Sequence, residues 1–330
     1  MNPSGITYSG DVVMKSVLYY ITVAFLFVLN KLPMCVLHFL SSVIYYPIYY
    51  IVRYRRKVVR DNLLKSFPEK ELKEIKRIER RFYRSLCDYF MEMIKYYGMS
   101  EKEIRKRMVF EGLDKAEEML DKGHSVVLYM GHLFNWEFVT SIGVHMHRED
   151  TVLGDIYHPL ENKRFDALTK RMREQYDVES ITMANTLRRI MQIGKDKKKY
   201  FIGFIADQVP TWESINYWLD FFHRDTPVFT GTEKIARRTS ASIFYGRMER
   251  VKRGYYKMTL EPVTQDASEM AEFEPTDIYY KLLADNIRTS PELWLWTHKR
   301  WKRTREGYAA REKRREEDRK RLREKAENNV

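Results

Sequence analysis

The sequence predicts an α/β fold, a mixed and largely parallel sheet flanked by helices, with apolar N-terminal helices that anchor the chain to a membrane. Three observations predict it. From residue 112 onward, apolar runs of strand length alternate with helical patterns. No Pro/Gly/Ser linker and no internal repeat divides that region. Residues 17–52 form two apolar runs closed by the basic cluster "RYRRK". A chain of 330 residues with 44% hydrophobic content can bury a sizeable core, so it is not a disordered protein. Its formal charge of +13 attracts polyanions without choosing among nucleic acid, anionic lipid and acidic proteins. Cys35 and Cys87 are too few and too isolated for a disulfide framework or a cysteine-based zinc site, so no metal is expected.

Taken in order, residues 1–60 read as the anchor. Its first apolar run is about thirteen residues, short of the roughly 20 that span a bilayer; the second, from Leu32 to Val52, is nearly long enough but is broken by Pro47. A single span, a hairpin, an in-plane helix and a buried hairpin of a soluble protein are all compatible with this pattern. No small-residue cleavage site follows the first run, which argues against a secretory signal. Arg53, Arg55, Arg56, Lys57 and Arg60 place the rest of the chain on the cytoplasmic side by the positive-inside rule. Residues 61–307 read as one globular domain. It opens with a long amphipathic helix, with Leu72, Ile75, Ile78, Phe82, Leu86, Phe90, Met93 and Tyr97 on one face. Lys73, Lys76, Arg77, Arg80 and Arg84 lie opposite, as a solvated face or a contact with lipid headgroups. The strands are "SVVLYM", "TVLGDIY", "YFIGFIA", "ASIFYGRM" and "YYKMTLEPV"; helices begin near Asp114, Asn135, Leu160, Asn185, Thr232 and Thr276. Residues 308–330 interleave Arg and Lys with Glu and read as an exposed helical tail.

The stretch "LYMGHLFNWEF" carries the chemistry. Gly131 allows a sharp exit from a buried strand, and His132 stands at that strand's carboxyl end, where α/β folds gather their sites. Residues five apart on a helix diverge by about 140°. With His132 in the turn and Glu137 in the helix that follows, however, the carboxylate can reach back to one imidazole nitrogen and fix its tautomer. No serine or cysteine nucleophile stands beside them, so a substrate hydroxyl takes that part, losing its proton to His132 as it attacks an activated acyl group.

The segment "GHLFNWEF" resembles the H-x4-E/D box of the lysophospholipid acyltransferase superfamily, and in particular the late acyltransferases of bacterial lipid A biosynthesis. "YHPLENKRFDALTKRMREQ", "FIADQ", "FTGTEKIARRTSASIFYG" and "PELWLWTHKRWK" resemble further blocks of that family in the same order, so the likeness covers roughly residues 15–303. The resemblance implies a membrane-associated O-acyltransferase at the cytoplasmic face of the inner membrane. It would move a fatty acyl group from acyl carrier protein to a hydroxyacyl chain of a lipid A precursor, without a cofactor. It further implies His132 as general base, Glu137 as its partner and an oxyanion-stabilising arginine, Arg171 or Arg173, with Arg164 a further candidate in the same block. Asp207 ends the strand "YFIGFIA", a position suited to positioning the base helix or the acceptor sugar. Asn135, Arg164, Asp207, Gln208, Thr230 and Gly231 are the substrate-binding candidates. The lipid phosphates, anionic membrane lipids and acidic carrier protein would all favour a basic surface, on a chain expected to be a monomer. Two departures stand out: "FFHRDTPVFTG" puts His223 and Arg224 where the family has a small residue, and His158 replaces an arginine common among relatives. The competing readings are an acyltransferase acting on an aminolipid or lyso-phospholipid, and a basic membrane-bound binding protein without catalysis. No recognisable nucleic-acid motif is present, so nucleic acid is not an expected partner.

Overall fold

The computed structural model describes residues 7–327. The chain opens with α1 (Thr7–Lys31) and α2 (Met34–Tyr46), the latter continued through Pro47 by a π-helical segment to Val52. It goes on through α3 (Arg56–Ser66), α4 (Leu72–Tyr96) and α5 (Glu101–Arg107). The α/β part follows as β1 (Met108–Glu111), α6 (Leu113–Asp121), β2 (Val126–Met130), α7 (Ile142–His145), β3 (Thr151–Tyr157), α8 (Lys163–Arg173), β4 (Glu179–Thr182), α9 (Thr186–Lys195) and β5 (Lys199–Ile205). A small antiparallel pair, β6 (Trp218–Asp220) and β7 (Asp225–Pro227), precedes α10 (Gly231–Arg238), the hairpin β8 (Ser242–Lys252) and β9 (Tyr255–Thr264), α11 (Glu274–Thr289) and the tail helix α12 (Arg305–Glu327).

The main sheet has seven strands in the order β1-β9-β8-β2-β5-β3-β4, parallel throughout except for the β8–β9 pair, so it is mixed and largely parallel as expected. All five apolar runs picked out as strands are strands. Its middle strand β2 reads as an unbroken apolar run because every residue in it is buried, between β5 and β8 at its edges and helices across its faces. The helix expected near Asn135 is shorter and tighter than its sequence suggests: Trp136–Ser141 is 3-10 and passes into the single turn of α7.

The N-terminal helices are docked on α4 rather than standing clear of it. Leu37, Ser41, Tyr45 and Tyr49 are buried against it. Three polar contacts fix the packing: the His38 imidazole to Glu92 at 3.0 Å, Ser41 Oγ to Asp88 at 2.5 Å, and Tyr49 OH to Glu79 at 2.8 Å. At the other end Asn30 donates to the last carbonyls of α4, and Lys95 returns a bond to the Asn30 carbonyl. These bonds tie off groups at the C-terminus of α4 that have no partner within the helix.

Candidate active site

The register of two strands assembles the site. β2 and β5 run parallel with Met130 opposite Ile205, so the residues two further on, His132 and Asp207, leave the sheet side by side. Gly131 permits the approach, because a side chain there would come within 3.4 Å of the Asp207 carboxylate and 2.5 Å of Leu283. One Asp207 oxygen accepts the His132 backbone N–H at 2.8 Å and the other faces Nδ1 of its ring at 2.5 Å. The Trp294 indole donates a third bond at 2.7 Å. Burial alone would raise the Asp207 carboxyl, but the imidazole and these donors outweigh it and hold the group down at about 2. With Nδ1 carrying the proton toward Asp207, Nε2 is left as the basic nitrogen, and the Gln208 amide lies 3.1 Å from it.

The strand ends are braced from behind. Tyr279 and Tyr280, adjacent on α11, donate to the carbonyls of Met130 and Ala206 at 2.9 Å each. The chain after His132 is held by the closing segment: Phe134 N–H donates to Leu293 O, and Leu295 N–H to His132 O. Trp294 is thus the block residue that touches the His132–Asp207 pair, a role the sequence gives no means of assigning. His298 comes in with it, mostly buried, and burial pushes its imidazole down to about 4 against the opposing pull of Asp207.

Glu137 does not make the contact expected of it. It is buried, and its carboxylate is held bidentately by Arg173 at 2.7 and 2.8 Å, with Trp136 Nε1 at 3.1 Å and Tyr89 OH at 3.4 Å. The reason is local. The 3-10 turn beginning at Trp136 sets that indole edge-on to the His132 ring and carries Glu137 inward, toward α4 and α8. Burial would raise the Glu137 carboxyl, but Arg173 reverses this and lowers it. Asp155 on β3 feels the charge of the same guanidinium and accepts from Ser180. It is raised to about 6, chiefly by burial.

The remaining candidates separate. Of the three arginines only Arg173 joins this cluster; Arg171 is exposed, and Arg164 stacks over the ring of Tyr19 at 5.3 Å. Asn135 is fully buried, bonding Glu92 and the Glu137 backbone, which ties the loop after His132 to α4. Thr230 donates to Asn216, and Gly231 begins α10. His158 is exposed beside Pro159 O, His223 is exposed in a turn, and Arg224 packs over Trp301 and bonds Ser66 Oγ.

The fold is thus a helix-flanked mixed sheet with an oriented histidine at the end of a central strand. The family described as bacterial lipid A biosynthesis acyltransferase matches residues 12–303, and the chain belongs to it. It is therefore an acyltransferase of lipid A biosynthesis type. It is 23% identical over 274 residues, 82% of this chain and 87% of the relative, to a lipid A biosynthesis palmitoleoyltransferase of Escherichia coli K12. A lipid A biosynthesis acyltransferase of Shigella flexneri matches to the same extent. One of Haemophilus influenzae is 22% identical over 206 residues, 60% of each chain.

Proposed function

We propose that the protein transfers a fatty acyl group from acyl carrier protein to the hydroxyl of a hydroxyacyl chain on a lipid A precursor, at the cytoplasmic face of the inner membrane. The observation that carries this reading is the His132 ring, its Nδ1 tied to Asp207 and its Nε2 directed at Gln208. In this mechanism the acceptor hydroxyl takes the place now held by the Gln208 amide. His132 Nε2 removes its proton as the oxygen attacks the thioester carbonyl, and Asp207 stabilises the imidazolium that forms. Collapse of the tetrahedral intermediate breaks the carbon–sulfur bond, and the imidazolium returns the proton to the departing thiolate. Gln208, displaced from Nε2, is placed to donate to the oxyanion. Arg173 is already committed to Glu137, so this pair positions the loop that carries His132. The acyl donor and the lipid A acceptor come from the family resemblance, and the named relatives support the acceptor class.

The test is acyl transfer in detergent from labelled acyl carrier protein to a tetra-acylated lipid A precursor, with lyso-phospholipid and aminolipid acceptors in parallel. The expected result is transfer to the lipid A precursor that His132→Ala abolishes. Transfer confined to another acceptor would keep the base and overturn the acceptor; no transfer to any would overturn the reading.

A further inference from the structure

A second site lies outside the His132 pocket, where α2, α4 and the tip of the β8–β9 hairpin meet. They enclose a hollow of about 490 Å³ into which Arg81, Arg84, Arg250 and Arg253 project from two elements. Two carboxylates answer these four guanidinium groups. Asp88 pairs with Arg253 at 2.6 Å, and Glu292 is shared by Arg81 at 2.7 Å and Arg250 at 3.5 Å. Arg84 has no carboxylate partner among the described residues; it only lies over the Tyr45 ring at 5.2 Å. The hydroxyls of Ser41 and Ser42 complete the lining. A second hollow of about 550 Å³ shares Arg81 and Arg250 and runs on to Leu293, whose carbonyl takes the amide of Phe134, two residues past His132.

We propose that this groove binds the phosphate of a lipid headgroup. Two uncompensated cations match a phosphate monoester, which carries about −1.5 to −2 near neutral pH. Arginine forks suit its oxygens, and the volume leaves room for the group that bears it. A lipid is the source because one wall is α2, whose outer face exposes Phe39 (66%), Val43 (50%) and Tyr46 (58%), so a phosphate bound behind that face has its acyl chains beside an apolar surface. The site does not depend on the acyl-transfer reading, because it is tested by binding alone.

The experiment is flotation of the full-length protein with phosphatidylcholine vesicles, with and without added phosphatidic acid, for the wild type and Arg81→Gln/Arg84→Gln. Both arginines are exposed, and unfolding curves without lipid check that the variant folds. A control, Arg314→Gln/Arg321→Gln on α12, removes the same charge elsewhere. Phosphatidic acid is expected to tighten wild-type binding, and the groove variant to lose about tenfold or more of that gain while the control keeps it. Competition by soluble dihexanoyl phosphatidic acid, but not by inorganic phosphate at equal concentration, assigns the site to a headgroup; equal competition by inorganic phosphate overturns that part and leaves a bare-anion site. A groove variant that binds like the wild type, or a control that loses as much, overturns the site. So does a groove variant that loses only its affinity for acyl carrier protein.

Discussion

Asp207 and Glu137 are both buried acids near His132, and their contacts give them different work. Asp207 grips the ring and the backbone of His132, so on the proposed mechanism Asp207→Asn should retain the fold yet favour the wrong imidazole tautomer. We expect kcat to fall by about 10²–10⁴-fold with KM little changed, checked by steady-state acyl transfer. Glu137→Gln should instead strand the buried Arg173 charge and cost about 3–5 kcal/mol of stability, measured by chemical denaturation. If Glu137→Gln proved the slower enzyme at equal stability, the assignment of Asp207 would be wrong. Asp155 supplies a pH test. A carboxyl whose folded-state pKa is raised binds its proton more tightly when folded, so its contribution is best at low pH. That contribution declines from about 4, the unfolded value, through about 6 and stays lost above. Asp155→Asn, which can still accept from Ser180, should therefore raise stability at pH 8 by about 3 kcal/mol and flatten the profile between those values; a fall at pH 8 would mean that Asp155 is an ionised counterion of Arg173. At this scale the sequence showed His132, because an apolar run ending in Gly-His marks a strand end. The Asp207 contact was hidden: the two residues are 75 positions apart, and only the adjacency of β2 and β5 brings them together.

The elements were legible in proportion to their burial. β2, β3, β5, β8 and β9 announce themselves as strand-length apolar segments, whereas β1 and β4 have four residues each, with one buried in β1 and two in β4, too little to read a period from. The turn after His132 looked like an ordinary helix because Phe138, Val139 and Ile142 recur at helical spacing, but the segment is 3-10 until Ser141. One glycine shows how tightly it is seated. A side chain at Gly143 in α7 would place its Cβ 1.7 Å from the carbonyl oxygen of Tyr176, a backbone atom that no rotamer change can move aside. Gly143→Ala must displace the turn after α8, and with it Arg173 and the bond from Tyr176 OH to Met99 O. We expect a loss of about 3 kcal/mol or more and a drop in turnover, since the pair that seats the His132 loop moves too. Gly194 in α9 is the contrast, with open space where a Cβ would stand. There, alanine should stabilise by about 0.5–1 kcal/mol; paired thermal unfolding curves for the two variants check both.

For the whole molecule, the sequence left open whether residues 17–52 span a bilayer, lie in its plane or pack as a buried hairpin. Length and composition alone make Met34–Val52 a candidate span. The packing argues otherwise. A helix with Leu37, Ser41, Tyr45 and Tyr49 buried on α4, and with side chains bonded to Asp88, Glu92 and Glu79, already has one face covered by protein. Lipid could surround it only if those three buried carboxylates lost their partners or if α4, with Lys73, Lys76, Arg77 and Arg80 on its outer side, followed it into hydrocarbon. The outer face is apolar along its length: Val36, Phe39, Val43, Tyr46 and Tyr50 are exposed. That is the pattern of a helix lying in the interface with the catalytic domain above it. The prediction is geometric. Residues 36 and 50 lie about 20 Å apart along a helix axis, so a spanning orientation would spread probes at positions 36, 39, 43, 46 and 50 across most of the hydrocarbon thickness of roughly 30 Å. An in-plane helix would hold all five at one shallow depth. Single cysteines at these positions, in a variant with Cys35 replaced by serine and Cys87 left buried, can carry a fluorophore, with brominated lipids of graded depth as quenchers. One common shallow depth is expected; a monotonic progression from one interface to the other would make the segment a span and place the two ends of α2 on opposite sides of the bilayer.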